Sequence, residues 1–363
     1  MIAPVSRSGV IAFAAALLFT PCVQFTCRQW KLYDVPGPLK IHSRPIPRLG
    51  GVAIALALFS GIILPRDFRA FPSWPIFASL TVVWVAGLID DVRGLPPVAR
   101  LIAQITAASI IWEGGWRMPF VANTVLNLTA TCVLVVWFVN AFNFLDGIDG
   151  LAAGTAALLA VGYGLGSASR LGIAGGTLAW ALTGACLGFL CFNFAPAKIF
   201  MGDSGSTLLG FSLAFLALDL YRAHSAGVAS PVFPVLIAAI PLLDAGLAIV
   251  RRVLSGGSPF NGDRRHFYDL LVERGWQPRK IVLVCYALTA GLVGIGWLSL
   301  RMAIGSAILL TAACWGMLAT CAIRLGALRS GQSVERVREA PAAATAADTL
   351  EIEGGPSLSR VRD

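Results

Sequence analysis

Five short segments of this chain gather residue types that bind phosphate and divalent cations. The first is Asp34-Val-Pro-Gly-Pro-Leu-Lys40-Ile-His42-Ser-Arg44-Pro-Ile-Pro-Arg48-Leu-Gly-Gly51. Its four prolines and three glycines make a rigid, non-helical loop. Lys40, His42, Arg44 and Arg48 give that loop the charge of an anion clamp, or of a basic loop lying beside lipid headgroups. The second segment is Gly87-Leu-Ile-Asp90-Asp91-Val-Arg93-Gly-Leu-Pro96-Pro97, followed by Arg100. Adjacent carboxylates at the C-terminal end of a helix repel each other, and the positive end of their own helix cannot relieve them. A metal ion or a basic residue is needed to keep both ionised.

The third segment is Asn140-Ala-Phe-Asn143-Phe-Leu-Asp146-Gly147-Ile-Asp149-Gly150. Polar residues three apart drift by ~60° per step on a continuous helix, so these four converge only if the helix breaks. Gly147 and Gly150 allow that break. The fourth is Pro196-Ala-Lys198-Ile-Phe-Met-Gly202-Asp203-Ser204-Gly205-Ser206, leading into an apolar helix. Its N–H groups and hydroxyls at a positive helix end suit phosphate, and Asp203 suits Mg²⁺, which takes one or two carboxylates plus phosphate oxygens. It also reads as an elaborate helix cap. No Gly-Lys-Ser/Thr signature of a P-loop is present. The fifth segment, 251–280, holds Arg251, Arg252, Asp263, Arg264, Arg265, His266, Tyr268 and Asp269. Paired arginine donors recognise phosphate, and such a loop also sits well against anionic lipid. Asp244 lies nearly two turns before Arg251 and serves equally as an ion-pair partner or a catalytic group.

The elements that carry these segments are membrane helices. Of the 363 residues 57% are hydrophobic and only 13% charged, with a mean hydropathy of +0.76. A soluble domain carries about 25% charged residues. The 38 glycines and 20 prolines are aperiodic, which excludes collagen. A polytopic all-α membrane protein remains. The net charge of +9 points to an anionic partner, and so little soluble mass argues against nucleic acid. All eight cysteines sit in apolar runs with no CxxC or zinc spacing, so they read as small buried hydrophobes.

A bilayer-crossing helix needs about 20 apolar residues. The runs 9–27, 49–65, 73–89, 98–113, 122–141, 151–168, 172–194, 205–221, 231–250, 281–299 and 302–323 predict about eleven helices (10–11). The first has a basic residue before its apolar core, but no small-residue cleavage site follows, so it reads as a helix rather than a leader. With loop 28–48 inside, 21 of the 28 Lys and Arg fall on that side. The positive-inside rule then places the N-terminus outside and the C-terminus in the cytoplasm. Of the 19 acids only Asp67, Glu113 and Asp219 fall outside. Carboxylates near a bilayer are costly and mark function, so the site is expected to be built from cytoplasmic loops. A multi-span domain over 1–325 and a disordered tail over 326–363 complete the expected layout.

Together the segments resemble the polyprenyl-phosphate N-acetylhexosamine-1-phosphate transferase superfamily. The resemblance rests on Asp90-Asp91 with Arg100, on Asn143-Phe-Leu-Asp146-Gly-Ile-Asp149-Gly, and on Pro196-Ala-Lys-Ile-Phe-Met-Gly-Asp203-Ser-Gly-Ser, in the family's order. Pro47-Arg48-Leu-Gly-Gly is similar to the GlcNAc-1-phosphate branch rather than the phospho-N-acetylmuramoyl-pentapeptide branch. Two departures stand out. Arg100 sits where the family commonly has lysine, and the histidine-rich fifth motif is reduced to His266-Phe-Tyr-Asp269, which leaves the sugar open.

The resemblance implies transfer of a sugar-1-phosphate from a UDP-N-acetylhexosamine to undecaprenyl phosphate, releasing UMP and initiating a cell-envelope glycan. It implies a multi-pass bacterial plasma-membrane enzyme facing the cytoplasm, dependent on Mg²⁺ (with Mn²⁺ an allowed substitute) and free to form a homodimer. Asn143 and Asp203 are then the metal ligands, and Asp90 and Asp91 are the catalytic pair that organises the metal or the acceptor, either one able to assist deprotonation. Lys40, His42, Arg100, Lys198, Arg264, Arg265 and His266 become phosphate and substrate contacts. Asp146 and Asp149 become the wall of the nucleotide and sugar pocket. A transporter or flippase for an anionic lipid-linked substrate is the alternative from another class.

Overall fold

The structure, a computed structural model, describes residues 2–35, 44–65, 74–118, 121–166, 173–224, 232–258 and 265–328. Every expected apolar run is helical, one of them in two pieces. The helices are α1 (Ile2–Gln29), α2 (Gly50–Ile63), α3 (Trp74–Arg93), α4 (Pro97–Glu113), α5 (Thr124–Leu145), α6 (Leu151–Gly166), α7 (Ile173–Asn193) and α8 (Gly202–His224). The chain continues through α9 (Phe233–Ile237), α10 (Ala239–Leu254), α11 (Phe267–Glu273), α12 (Pro278–Ser299) and α13 (Ile304–Arg324). Seven are long and apolar enough to cross a membrane: α1, α3, α5, α7, α8, α12 and α13. The protein is therefore a polytopic, helical membrane protein.

Local chemistry starts and stops these helices. Pro97 and Pro278 occupy first-turn positions, where a missing N–H costs nothing. Asn123 caps α5 by accepting from Leu126 N–H at 3.0 Å. One expectation needs correction. The run 231–250 is not one helix but α9 and α10, separated at Ala238. Pro234 starts α9, and Pro241 has no N–H to donate to the Ile237 carbonyl, so the ladder is interrupted there. One short strand pair accompanies the helices of this all-α fold. Tyr33–Asp34 (β1) pairs antiparallel with Ile46–Pro47 (β2), closing the base of the first basic loop.

α8 is the axis of the molecule. Of its apolar stretch 94% is buried, against 17% for α13, so α8 is core while α13 lies at the rim. It packs on α2, α3, α5, α6 and α7. Phe211, Phe215, Phe138 and Phe142 are fully buried along the α5–α8 seam. In a lipid-solvated fold such packing, rather than water exclusion, holds the helices together. The N-terminus of this buried helix is where the second, third and fourth polar segments meet.

Candidate active site

Asp203 stands in the first turn of α8. Asn143, two residues before the end of α5, donates its amide to the Asp203 carboxylate and to Ser206 Oγ at 3.1 Å. From α3, Asp91 accepts from Asp203 N–H (2.8 Å), Ser204 N–H (3.0 Å) and Ser204 Oγ (2.6 Å). Asp91 thus caps α8 from a different helix. A carboxylate at the positive end of a helix is favoured both by its hydrogen bonds and by the dipole. This corrects two sequence expectations. The Asp203 and Ser204 N–H groups are taken by Asp91 and do not lie open for phosphate. A helix end does relieve the adjacent carboxylates after all, but it belongs to α8.

Asp90 turns the other way. It accepts from Leu95 N–H at 2.7 Å and pairs with Arg100 at 3.1 Å. The two acids of one dipeptide are therefore split, with Asp91 on the α8 end and Asp90 on the α4 cation. Beside them lies a groove of about 250 Å³, including space open to solvent, lined by Val83, Ala86, Gly87, Ala103, Gln104 and Thr207.

Backbone fit makes this possible. Gly50 and Gly51 donate to the Phe200 and Met201 carbonyls at 2.8 and 2.7 Å, and Phe200 N–H returns to Pro47 at 2.8 Å. A Cβ on Gly51 would stand 2.2 Å from Gly205 N, and one on Gly87 2.6 Å from Ser204 Cα. Glycine is what lets both helices touch the 202–205 turn. Gly202 itself has φ +73° and faces Asp91, leaving no room for a side chain.

The third segment breaks as expected. α5 ends at Leu145, Asp146 follows as its C-cap, and Gly150 takes φ +82°. Asn140 stays apart, donating to Gln104 Oε1 at 2.9 Å. Asp149 accepts from Ala197 N–H at 2.8 Å, so it fixes the 194–201 loop. Asn193 completes that brace, accepting from Gly150 N–H and donating to Ile199 carbonyl, each at 3.0 Å. Asn193 drew no role from the sequence, although an amide ending an apolar helix shortly before Pro196 was the available signal. Asp146 is half-buried. Its carboxyl is pushed well above the usual carboxylate range by burial and then by the charges of Asp203, Asp91 and Asp149.

The fifth segment docks on the end of α5. Tyr268 donates to the Phe144 carbonyl at 2.7 Å. The His266 ring lies between Phe144 (centroids 5.3 Å apart) and Tyr268 (5.5 Å), and the Arg252 guanidinium sits 4.8 Å over Phe144. Arg265 does not reach this site. It is buried and turned to the Gly326 carbonyl at 3.5 Å, while Arg251 and Arg274 bond the Ala327 and Leu325 carbonyls. These arginines bind carbonyls of the C-cap and of the turn that follows α13, a structural use that the phosphate expectation missed. Lys198 is exposed and hydrogen-bonded through its backbone. Lys40, His42, Arg264 and the tail from 329 lie outside the described residues.

A helical membrane protein whose acids converge at one helix terminus belongs to a recognisable class. The "Glycosyl transferase family 4" model matches residues 73–221, which contain Asp90, Asp91, Asn143, Asp146, Asp149 and Asp203. The chain belongs to this family. It is 32% identical over 292 residues to a probable undecaprenyl-phosphate N-acetylglucosaminyl 1-phosphate transferase of Bacillus subtilis (strain 168), covering 76% of this chain and 80% of the relative. It is 35% identical over 333 residues to the decaprenyl-phosphate N-acetylglucosaminephosphotransferase of Mycobacterium tuberculosis (strain CDC 1551 / Oshkosh), covering 81% and 82%. The undecaprenyl-phosphate alpha-N-acetylglucosaminyl 1-phosphate transferase of Escherichia coli (strain K12) is 28% identical over 320 residues, covering 81% and 84%.

Proposed function

We propose that this protein transfers N-acetylglucosamine-1-phosphate from UDP-N-acetylglucosamine to undecaprenyl phosphate, releasing UMP. The observation that carries the reading is Asp203, aimed by Asp91 and Asn143 from two helices, with Asp146 crowded beside it. The names of the relatives agree with it. Among the described residues, eleven helical segments remain when the short α11 is set aside and α9 and α10 count as one broken span; this odd number supports an outside N-terminus and a cytoplasmic site in a bacterial plasma membrane. Transport sites tend to lie at the bilayer midplane, whereas these acids gather at helix ends.

The donor set fits Mg²⁺. Among the described residues no cluster of three or more His, Cys, Asp or Glu is arranged to hold a metal. Asp203 and Asp146 are the carboxylates to hold it. Burial lifts Asp146 most, and the repulsion from Asp203, Asp91 and Asp149 that adds to it is what a divalent cation would relieve. Asn143 aims Asp203 through its amide and is the further ligand proposed for the ion. Bound there, the ion neutralises charge on the donor pyrophosphate.

This chain's residues then position the reactants. An oxygen of the lipid phosphate attacks the phosphorus that bears the sugar. A new P–O–P bond forms, the bond to the bridging oxygen breaks, and UMP leaves. Arg100, held by Asp90 and one-third exposed, is assigned to neutralise the acceptor phosphate. His266, with Lys40, His42 and Arg264, is assigned to the donor phosphates. A phosphate acceptor is already largely ionised near neutral pH, so direct attack needs little general-base help.

The test is UMP release by the purified protein supplied with Mg²⁺, undecaprenyl phosphate and a panel of UDP-N-acetylhexosamines. Turnover with UDP-N-acetylglucosamine is expected. Folded protein that turns over none of the panel overturns the proposal. Labelled UMP entering UDP-sugar without acceptor would replace direct attack by a covalent phospho-enzyme.

A further inference from the structure

Asp244 has no role in the site as described so far, yet it is one of the few buried acids in the protein. It sits on α10, 22 residues before His266, and both its oxygens are used on that neighbour. Oδ2 lies 2.6 Å from His266 Nδ1, and Oδ1 accepts from Phe267 N–H at 3.0 Å. His266 is itself the N-cap of α11, its own N–H bonded to Asp269 at 3.2 Å. Phe144 and Tyr268 flank the imidazole, and the Tyr268 ring is within 14° of parallel to it. The ring is thus restrained by its backbone, its flanking rings and its Nδ1 partner. No partner holds Nε2 among the described residues.

We infer that Asp244 is a positioning residue for the transfer. It holds His266 Nδ1–H so that Nε2 alone is presented to a phosphate oxygen of the nucleotide-sugar. Against an ionised Asp244, which only accepts, the proton of this hydrogen bond sits on Nδ1. A ring that donates through Nδ1 to Asp244 and through Nε2 to phosphate is an imidazolium, and Asp244 supplies its counter-charge inside the protein. The arrangement follows the rule by which the partner of one ring nitrogen fixes what the other can do. It also explains how a motif with a single histidine suffices. One ring held from three sides needs no second imidazole to define its direction. The inference rests on the transferase reading above for the identity of the phosphate.

The decisive measurement is a double-mutant cycle on the full chain, reading kcat/KM for UDP-N-acetylglucosamine. Asp244→Asn keeps the volume but offers only one acceptor to two donors. Loss of one charge-assisted hydrogen bond predicts a fall of about 10- to 100-fold. In a His266→Ala background the same change is expected to lower kcat/KM less than about threefold, because its route of action is gone. An equal loss in both backgrounds, or less than about threefold in the native one, overturns the inference.

A second measurement needs no variant of Asp244. The chain has three histidines, so ¹⁵N-histidine spectra of the native protein, with His266 assigned from His266→Ala, report which ring nitrogen is protonated. Protonated Nδ1 is expected, and the tautomer protonated only at Nε2 refutes the assignment. Because the spectra do not depend on turnover, an inactive protein with protonated Nδ1 would sink the transferase reading alone.

Discussion

Replacing Asp91 separates aiming from chemistry. Asp91→Ala leaves three buried donors, the N–H groups of Asp203 and Ser204 and the Ser204 hydroxyl, without the partner that holds them at 2.6–3.0 Å. An orphaned buried donor costs about 1–3 kcal/mol, and losses within one cluster do not add fully. Removing the charge from a helix N-terminus costs up to ~2 kcal/mol more. Together these give a destabilisation of roughly 3–5 kcal/mol. Asp91→Asn keeps the shape and one acceptor, which reduces the cost to about 1–3 kcal/mol. For a chain of this size about 2 °C of melting temperature accompanies each kcal/mol, so thermal unfolding in detergent resolves both variants. Asp203 is aimed through these bonds, so Asp91→Asn is also expected to raise the Mg²⁺ concentration giving half-maximal activity more than it lowers kcat at saturating Mg²⁺. The reverse pattern, an unchanged melting temperature with kcat down a thousandfold at saturating metal, would refute the capping argument and make Asp91 a group acting on the reactants.

Gly51→Ala should destabilise by about 1–3 kcal/mol through overpacking against the 202–205 turn and cut activity more than tenfold. Gly291→Ala, on α12 with open space around it, should be neutral or stabilise by about 0.5–1 kcal/mol. Equal thermal and kinetic behaviour of the two would remove the close-approach argument. Asp146 binds its proton more tightly in the folded protein than in the unfolded chain. In EDTA its contribution is therefore complete below the unfolded value of about 3.9 and is lost as pH rises through the higher folded value. Asp146→Asn should melt higher than the native protein at pH 8, with the gap closing toward pH 4 and shrinking at pH 8 when Mg²⁺ is added. Identical pH slopes for the two proteins in EDTA would contradict this. Arg100 is one-third exposed, so Arg100→Met should cost under about 1 kcal/mol of stability while lowering kcat/KM for the lipid acceptor at least thirtyfold. Arg100→Lys should stay within threefold, and a neutral residue that preserved the acceptor kcat/KM would exclude Arg100 from the phosphate.

The sequence alone determined that the chain is a bundle of apolar helices, where those helices run, and which polar segments lie between them. Those properties are local. A helix closes its own hydrogen bonds within four residues, and about twenty apolar side chains in a row are enough to select a membrane. The break after Leu145 was legible for the same reason, since Gly147 and Gly150 announce it. The interrupted ninth span was missed because its apolar run hides a proline whose effect is on one carbonyl.

What only the tertiary structure decided is the choice of partners. Asp90 and Asp91 are one residue apart, yet one meets Arg100 and the other meets α8, 112 residues away. Asn143 finds Asp203 across 60 residues, and His266 finds Asp244 across 22. Arg265, with the composition of a phosphate ligand, is spent on the turn that follows α13. No spacing rule predicts these outcomes. A buried carboxylate or guanidinium takes whichever unsatisfied helix end or donor the packing brings near, and that is settled when α3, α5, α8 and α10 come together.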